Sequence, residues 1–362
     1  MVISGSTEYS WDACRRLHLT MPEAVFRVDA SQEIGAGHTM RCLTLADALV
    51  QAGWKCSFAV GPQTLAIVSD LKKAPHEVIE LSGDRIQPMH ERWPDGVDLL
   101  VIDHYDLGAA YEVGCRPWAR RIFVIDDLAR RIHDCDLLLD QNLGRDENSY
   151  AGLVSPDSPV LIGPEYSLLR PQFPEIRDSA VQRRETLGRT RRVMISLGAT
   201  DPHQMTIPIV ERVALNAPDI EMDIVIASAA RHIDKVQALA KRLGEQVRIH
   251  MDVSDMARLM HNVDLSIGSP GTTSWERCCL GLPTLLLVTA DNQRSNVPSL
   301  EAAGAAIVIG DWLQPDWDRF DDALAVLAAN PERLRAMARR SFSVCDGKGT
   351  ERVISAINGI TR

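Results

Sequence analysis

Short apolar or β-branched runs alternate with stretches of helical periodicity along most of the chain. In the first half, Phe26–Asp29, Trp54–Val60, Asp98–Asp103, Arg121–Asp126 and Leu137–Asp140 predict strands. Between the first two, Thr39–Ala52 puts Met40, Leu43, Ala46, Leu49 and Val50 on one face and stops at Gly53, as a helix packed by one side does. The pattern breaks at "PQFPEIRDSAVQRRETLGRTRR", 171–192, which opens on prolines and continues in charge, so it reads as a connection. A second series follows at Val193–Leu197, Met222–Ala227, Val247–His250, Val263–Ile267, Thr284–Val288 and Ala306–Ile309. Helical patterns fall between these runs, including Arg231–Leu243 and Asp255–His261, and Gly349–Ile360 reads as a final helix.

Strands alternating with helices predict parallel sheets with crossover helices. The expectation is an α/β chain of two Rossmann-like, doubly wound domains. They span 24–172 and 193–362, with a linker at 173–192, an extension at 1–23 and a cleft between the lobes. Ligands of such sheets bind outside the carboxyl ends of the strands, so any chemistry is expected there.

Composition narrows the possible partners. Against 49 acidic residues there are 39 basic ones, a net charge of −10 with no basic run. That argues against nucleic acid or an anionic membrane as partner, since both need clustered cations. No apolar run reaches the length of a membrane span, and residues 1–20 lack the order of a secretion signal; they read as a loose extension, with Met21 a plausible alternative start. The eight cysteines include no C-x-x-C pair, which fits small core residues in a reduced, cytoplasmic setting.

The first loop, "GAGHTM" at 35–40, lacks the last glycine of a dinucleotide fingerprint, and the second predicted strand ends in "FAVGP" without a carboxylate. A nicotinamide cofactor is therefore not expected, and no other cofactor is indicated. What remains is a glycine turn that sets His38 at the start of a helix. The local sequence leaves two readings of His38 open, a base at the cleft mouth or a hydrogen-bonded capping residue.

The second loop, "GSPGTTSWE" at 268–276, runs from a strand into a helix. Free amides of Gly271, Thr272 and Thr273 at that junction suit a diphosphate, and Glu276 one turn on suits ribose hydroxyls. "SLGAT" at 196–200 offers Ser196 and Gly198 to the same cleft. "VIDHY" and "VIDD" close strands with Asp103, His104, Tyr105, Asp126 and Asp127, which position a sugar or simply form turns. Asn292 and Gln293 in "ADNQ" carry amides suited to sugar hydroxyls or acetamido groups. No G-x-S-x-G elbow, H-E-x-x-H or other metal-spaced cluster occurs, so neither a nucleophilic serine nor a resident metal is expected.

Taken together, "GAGHTMRCLTLADAL", "VIDHY", "VIDD", "DCDLLLDQN", "ISLGATDP", "GSPGTTSWERCCLGLPTL" and "ADNQ" resemble the UDP-sugar hydrolases of pseudaminic acid biosynthesis. These are similar in turn to GT-B glycosyltransferases. The likeness runs from about residue 24 to 310, with the motifs in order in both halves. It implies a GT-B-like fold and metal-independent hydrolysis by inversion. The substrate it implies is a UDP-linked 2,4-diacetamido-2,4,6-trideoxyhexose, and the products UDP and free sugar. His38 matches the histidine taken as the base that activates water. Tyr105 and Asn292 match residues of the sugar pocket. Glu276 matches a ribose ligand, and Gly271 to Thr273 lie near the diphosphate; Gly37, Ser196 and Gly198 are expected to bind substrate in the same cleft. The chain departs from the family at Ala199 and Pro270, where glycine is frequent. Two other readings remain, a GT-B glycosyltransferase with an acceptor in place of water and a nucleotide-sugar sensor without turnover.

Overall fold

The computed structural model describes residues 21–32 and 34–361, so the expected extension at 1–23 lies outside the described residues up to 20, and its last residue, Glu23, opens the first strand. The first sheet holds β1 (Glu23–Val28), β2 (Lys55–Val60), β3 (Glu77–Glu80), β4 (Leu99–Asp103), β5 (Ile122–Ile125), β6 (Leu137–Asp140) and β7 (Val160–Ile162). The second holds β8 (Arg192–Ser196), β9 (Glu221–Ile226), β10 (Val247–Met251), β11 (Leu265–Gly268), β12 (Thr284–Val288) and β13 (Ala306–Asp311). Strand order is 3-2-1-4-5-6-7 in one and 10-9-8-11-12-13 in the other, with every pairing parallel. Every predicted strand is present. β3 and β7 were not expected from the sequence.

Both faces of each sheet are covered, which is why the strands read as near-continuous apolar runs. In β1, Ala24, Phe26 and Val28 point into one core and Val25 into the opposite one. In β8, Val193 and Ile195 enter one core and Met194 the other. This two-sided burial pins register, because a one-residue slip would exchange the two faces.

Strand order reverses between β1 and β4 and again between β8 and β11. At the first reversal Val28 pairs with Asp103, and at the second Ser196 pairs with Gly268. A crevice opens at such a point because successive connections leave to opposite sides of the sheet. The two candidate loops of the sequence therefore sit at the two crevices.

Helix α1 (Gly37–Gln51) follows β1. The stretch expected as a connection carries helix α2 (Gln172–Glu185), which buries Phe173 and Ala180 in the second lobe. Its Arg184 guanidinium donates to the carbonyls of Leu280, Val263 and Met260, so a charge-rich sequence is held by capping other elements. Helix α3 (Thr273–Cys279) follows β11, and α4 (Val297–Ala302) follows the loop after β12. The last helix, α5 (Gly349–Thr361), returns to the first lobe, where Val353 and Ile357 are fully buried with Leu45, Leu49 and Leu139. We propose folding units built on 24–172 and 193–348, with α5 tying the second to the first. Ile357→Ala is expected to cost about 2–5 kcal/mol of stability. Hydrogen exchange is expected to quicken in β1 and β6 and stay slow in β8 and β11.

Candidate functional site

The loops at both crevices face one cavity of ≈ 320 Å³, within the usual range for small-molecule sites. Gly37, His38 and Tyr105 line it from the first lobe. Ser196, Gly198, Gly271, Thr272, Thr273 and Glu276 line it from the second. Asn292 and Gln293 complete the predicted set. Of the strand-end carboxylates and their neighbours, Asp127 lines it as well, whereas Asp103, His104 and Asp126 do not. Ala199 and Pro270, where the chain departs from the family pattern, are on it too.

His38 stands in the first turn of α1 and is buried. Its Nδ1 meets Asp103 Oδ1 at 2.5 Å, and its Nε2 meets Tyr105 Oη at 2.8 Å. A carboxylate that accepts from Nδ1–H leaves the lone pair on Nε2, on the side of the phenol. Arg41, one turn along α1, donates from Nε to Asp103 Oδ2 at 2.6 Å and from its terminal nitrogens to Asp103 Oδ1 at 2.7 Å and Asp127 Oδ2 at 2.9 Å. Burial pushes the Asp103 carboxyl upward, but the Arg41 charge and His38 outweigh it and hold it well below the usual carboxylate range. Asp103 is therefore an anion with both oxygens committed. Neither its role as His38's partner nor Arg41 was among the predicted site residues. Arg41 sits three residues after His38, a spacing that would have placed the two on one helix face.

Tyr105 is held by its backbone as well as its ring. Arg131 donates to the carbonyls of His104, Tyr105 and Leu107 and pairs with Asp126 at 2.8 Å, clamping the loop after β4. Burial, with the nearby Asp127 charge, raises the phenol's pKa, so it stays a neutral hydroxyl. Asn292 Nδ2 reaches it from the other lobe at 2.5 Å. An imidazole, a phenol and an amide thus form one chain across the cleft.

The lobes also approach at the loops. A Cβ at Gly37 would stand 3.0 Å from Thr272 Oγ1, so glycine allows the first loop to lie against the second. Gly198 has φ +92, a left-handed conformation that side chains disfavour. Two helix N-termini, of α1 and α3, face the cavity with no side-chain cap; α1 has no acidic residue in its first turn and α3 has Glu276. Their partial positive charge favours an anion. Beneath the second loop, the buried Arg277 donates to Ser269 O at 2.7 Å and Ser274 Oγ at 3.0 Å. Burial lowers its pKa to about 10, so it remains a cation under the loop. Glu276 is paired with Arg170 at 3.3 Å, and its carboxyl is pushed up by burial. Gln293 spends its carbonyl on Thr289 at 2.9 Å, which leaves only its amide nitrogen for a ligand.

Outside the cavity, Asp29, Asp84 and His104 bring ligand atoms together, but the Arg27 guanidinium already bonds Asp29 at 2.5 Å and Asp84 at 2.8 Å. That guanidinium offsets part of the cluster's negative charge. The seven described cysteines are free and buried, as small core residues are.

Residues 202–353 match the glycosyltransferase family 28 C-terminal domain. Over 285 residues the chain is 27% identical to the UDP-2,4-diacetamido-2,4,6-trideoxy-β-L-altropyranose hydrolase of Campylobacter jejuni, covering 78% of this chain and 97% of that protein. It is 26% identical over 211 residues to the spore coat polysaccharide biosynthesis protein SpsG of Bacillus subtilis, covering 57% of this chain but only 60% of the relative's length. Among solved structures, MurG of Acinetobacter baumannii superposes with a TM-score of 0.62 at 16% identity, over 93% of this chain and 100% of that one. The architecture is GT-B-like, two Rossmann-like lobes around a cleft, and the chain resembles UDP-sugar-processing enzymes.

One titration behind the site is testable. Asp140, at the end of β6, is raised to about 7 by burial and by the Asp127 charge. Between its ordinary value and about pH 7 the folded chain keeps a proton that the unfolded chain releases, so stability falls as pH rises through that window. Asp140→Asn, which copies the protonated form, is expected to flatten that fall. Thermal midpoints at about pH 5 and about pH 8 check it: the variant's gain over wild type should be larger at the higher pH.

Proposed function

We propose that the chain hydrolyses a UDP-linked 2,4-diacetamido-2,4,6-trideoxyhexose to UDP and the free sugar, with inversion and without a metal. The observation that carries the reading is the imidazole at the cleft, with Nδ1 on a carboxylate and Nε2 turned to the Tyr105 hydroxyl. The likeness to the Campylobacter jejuni hydrolase over nearly that protein's whole length supports the choice of substrate.

UDP sits on the second lobe, its diphosphate against the loop from Gly268 to Thr273 and its ribose at Glu276. The uncapped amides and the Arg277 charge beneath them stabilise the phosphate oxygens as the bond to the anomeric carbon breaks. UDP is a good leaving group, so no strong acid is needed on the departing oxygen. The demanding step is to deliver water to that carbon from the opposite face. His38 Nε2 takes the water's proton, while Asp103 accepts from Nδ1–H and stabilises the imidazolium that forms. Tyr105, now bonded to Nε2, is displaced towards the sugar with Asn292 as the substrate enters. A single base on one face gives direct displacement, unlike the two-carboxylate route to retention.

The family 28 match and the MurG likeness favour a second reading, in which an acceptor hydroxyl replaces water in the same site. Incubation with the UDP-diacetamido sugar in ¹⁸O-labelled water without acceptor separates the two. Hydrolysis predicts UDP release with label in the sugar. A transferase predicts no release until an acceptor is added, and a sensor predicts binding alone. His38→Asn is expected to keep UDP affinity and lose about 10²–10⁴-fold in turnover; near-normal turnover would remove His38 from the role.

A further inference from the structure

Three amide side chains on the cavity wall, Gln141, Asn142 and Asn296, have no part in the proposed reaction. Asn296 occupies the position before α4 where an asparagine ordinarily accepts a hydrogen bond from the helix's own amides. It makes no such bond. Its Nδ2 instead crosses the cleft to Asn142 Oδ1 at 2.6 Å. Asn142 is itself fixed, donating from Nδ2 to Asp127 O at 2.7 Å and from its backbone to Asp140 at 2.9 Å. Gln141 accepts from Leu168 N at 3.4 Å, which turns its amide nitrogen to the free end.

Among the described residues this arrangement leaves two atoms without a partner, Asn296 Oδ1 and Gln141 Nε2. The residues are only 7% and 2% exposed. Buried polar atoms are almost always paired, because each unpaired one loses its hydration without return. One atom is an acceptor and the other a donor, on two residues that line the same cavity from opposite lobes. A secondary amide is their complement: its N–H donates to Asn296 Oδ1, and its carbonyl accepts from Gln141 Nε2. A ring hydroxyl also donates and accepts, but through one oxygen, whereas the amide carries the two functions on separate atoms.

We propose that Asn296 and Gln141, braced by Asn142, form the subsite for an N-acylamino substituent of the sugar, and that this pair selects acylated amino sugars over hydroxylated ones. The proposal rests on the nucleotide-sugar reading above and adds the residues that read the ring. Calorimetric titration of the full chain with UDP, UDP-N-acetylglucosamine and UDP-glucose tests it. Wild type is expected to bind the N-acetyl sugar about ten- to a hundredfold more tightly than UDP-glucose. Asn296→Leu is expected to bring that ratio near one. Gln141→Met gives the same test if the first variant does not fold, and the wild-type ratio stands without either. No binding of UDP itself would overturn the nucleotide-sugar reading. UDP binding with equal affinity for the two sugars in wild type, or a ratio that survives in the variants, would overturn only the subsite.

Discussion

Both oxygens of one buried carboxylate, Asp103, are committed, and the organisation of the first lobe's crevice follows from that. Oδ1 holds His38 Nδ1 and an Arg41 nitrogen; Oδ2 holds Arg41 Nε. A lone carboxylate in such a place would be driven to protonate. Arg41 prevents this and is itself balanced by Asp127. The imidazole thus receives one fixed acceptor and one orientation. Removing either partner would leave a buried charge uncompensated, which costs more than the pair contributes. The arrangement exchanges some stability for a histidine that cannot turn.

The second lobe supplies the opposite electrostatics. Uncapped amides and a buried guanidinium make the loop from Gly268 to Thr273 a place for negative charge, although the chain as a whole carries −10. Net charge therefore says little about this pocket. Across the cleft the lobes touch through polar contacts that include Tyr105 with Asn292, Asn142 with Asn296 and Thr200 with the Gln32 carbonyl. In the proposed reading, the side chains that join the lobes are also those that meet the sugar.

Much of the fold was legible because both faces of each sheet are buried. Central strands such as β1 and β8 then read as unbroken apolar runs between helices. The edge strands escaped for the complementary reason. β3 is only partly buried, with Glu at both ends, and β7 has three residues. Helix α2 was hidden by its charge, since arginines such as Arg184 serve it through their bonds to carbonyls rather than by apolar periodicity. The glycine loops and His38 were readable from local composition. Arg41 was not singled out, because its partners Asp103 and Asp127 are 62 and 86 residues away. Asn142 and Asn296 met the same limit at a separation of 154. Residues that act through long-range pairing leave no local periodicity to find.

A base at His38 requires that one particular ring nitrogen carry the proton. Nitrogen-15 NMR of the histidine-labelled chain at mildly alkaline pH, with Asp103→Asn for assignment, reads it directly. The expected result is a proton on Nδ1 and a bare Nε2, a pattern the variant disturbs. A proton resident on Nε2 in the wild-type chain would contradict it, because that nitrogen could then accept nothing from water.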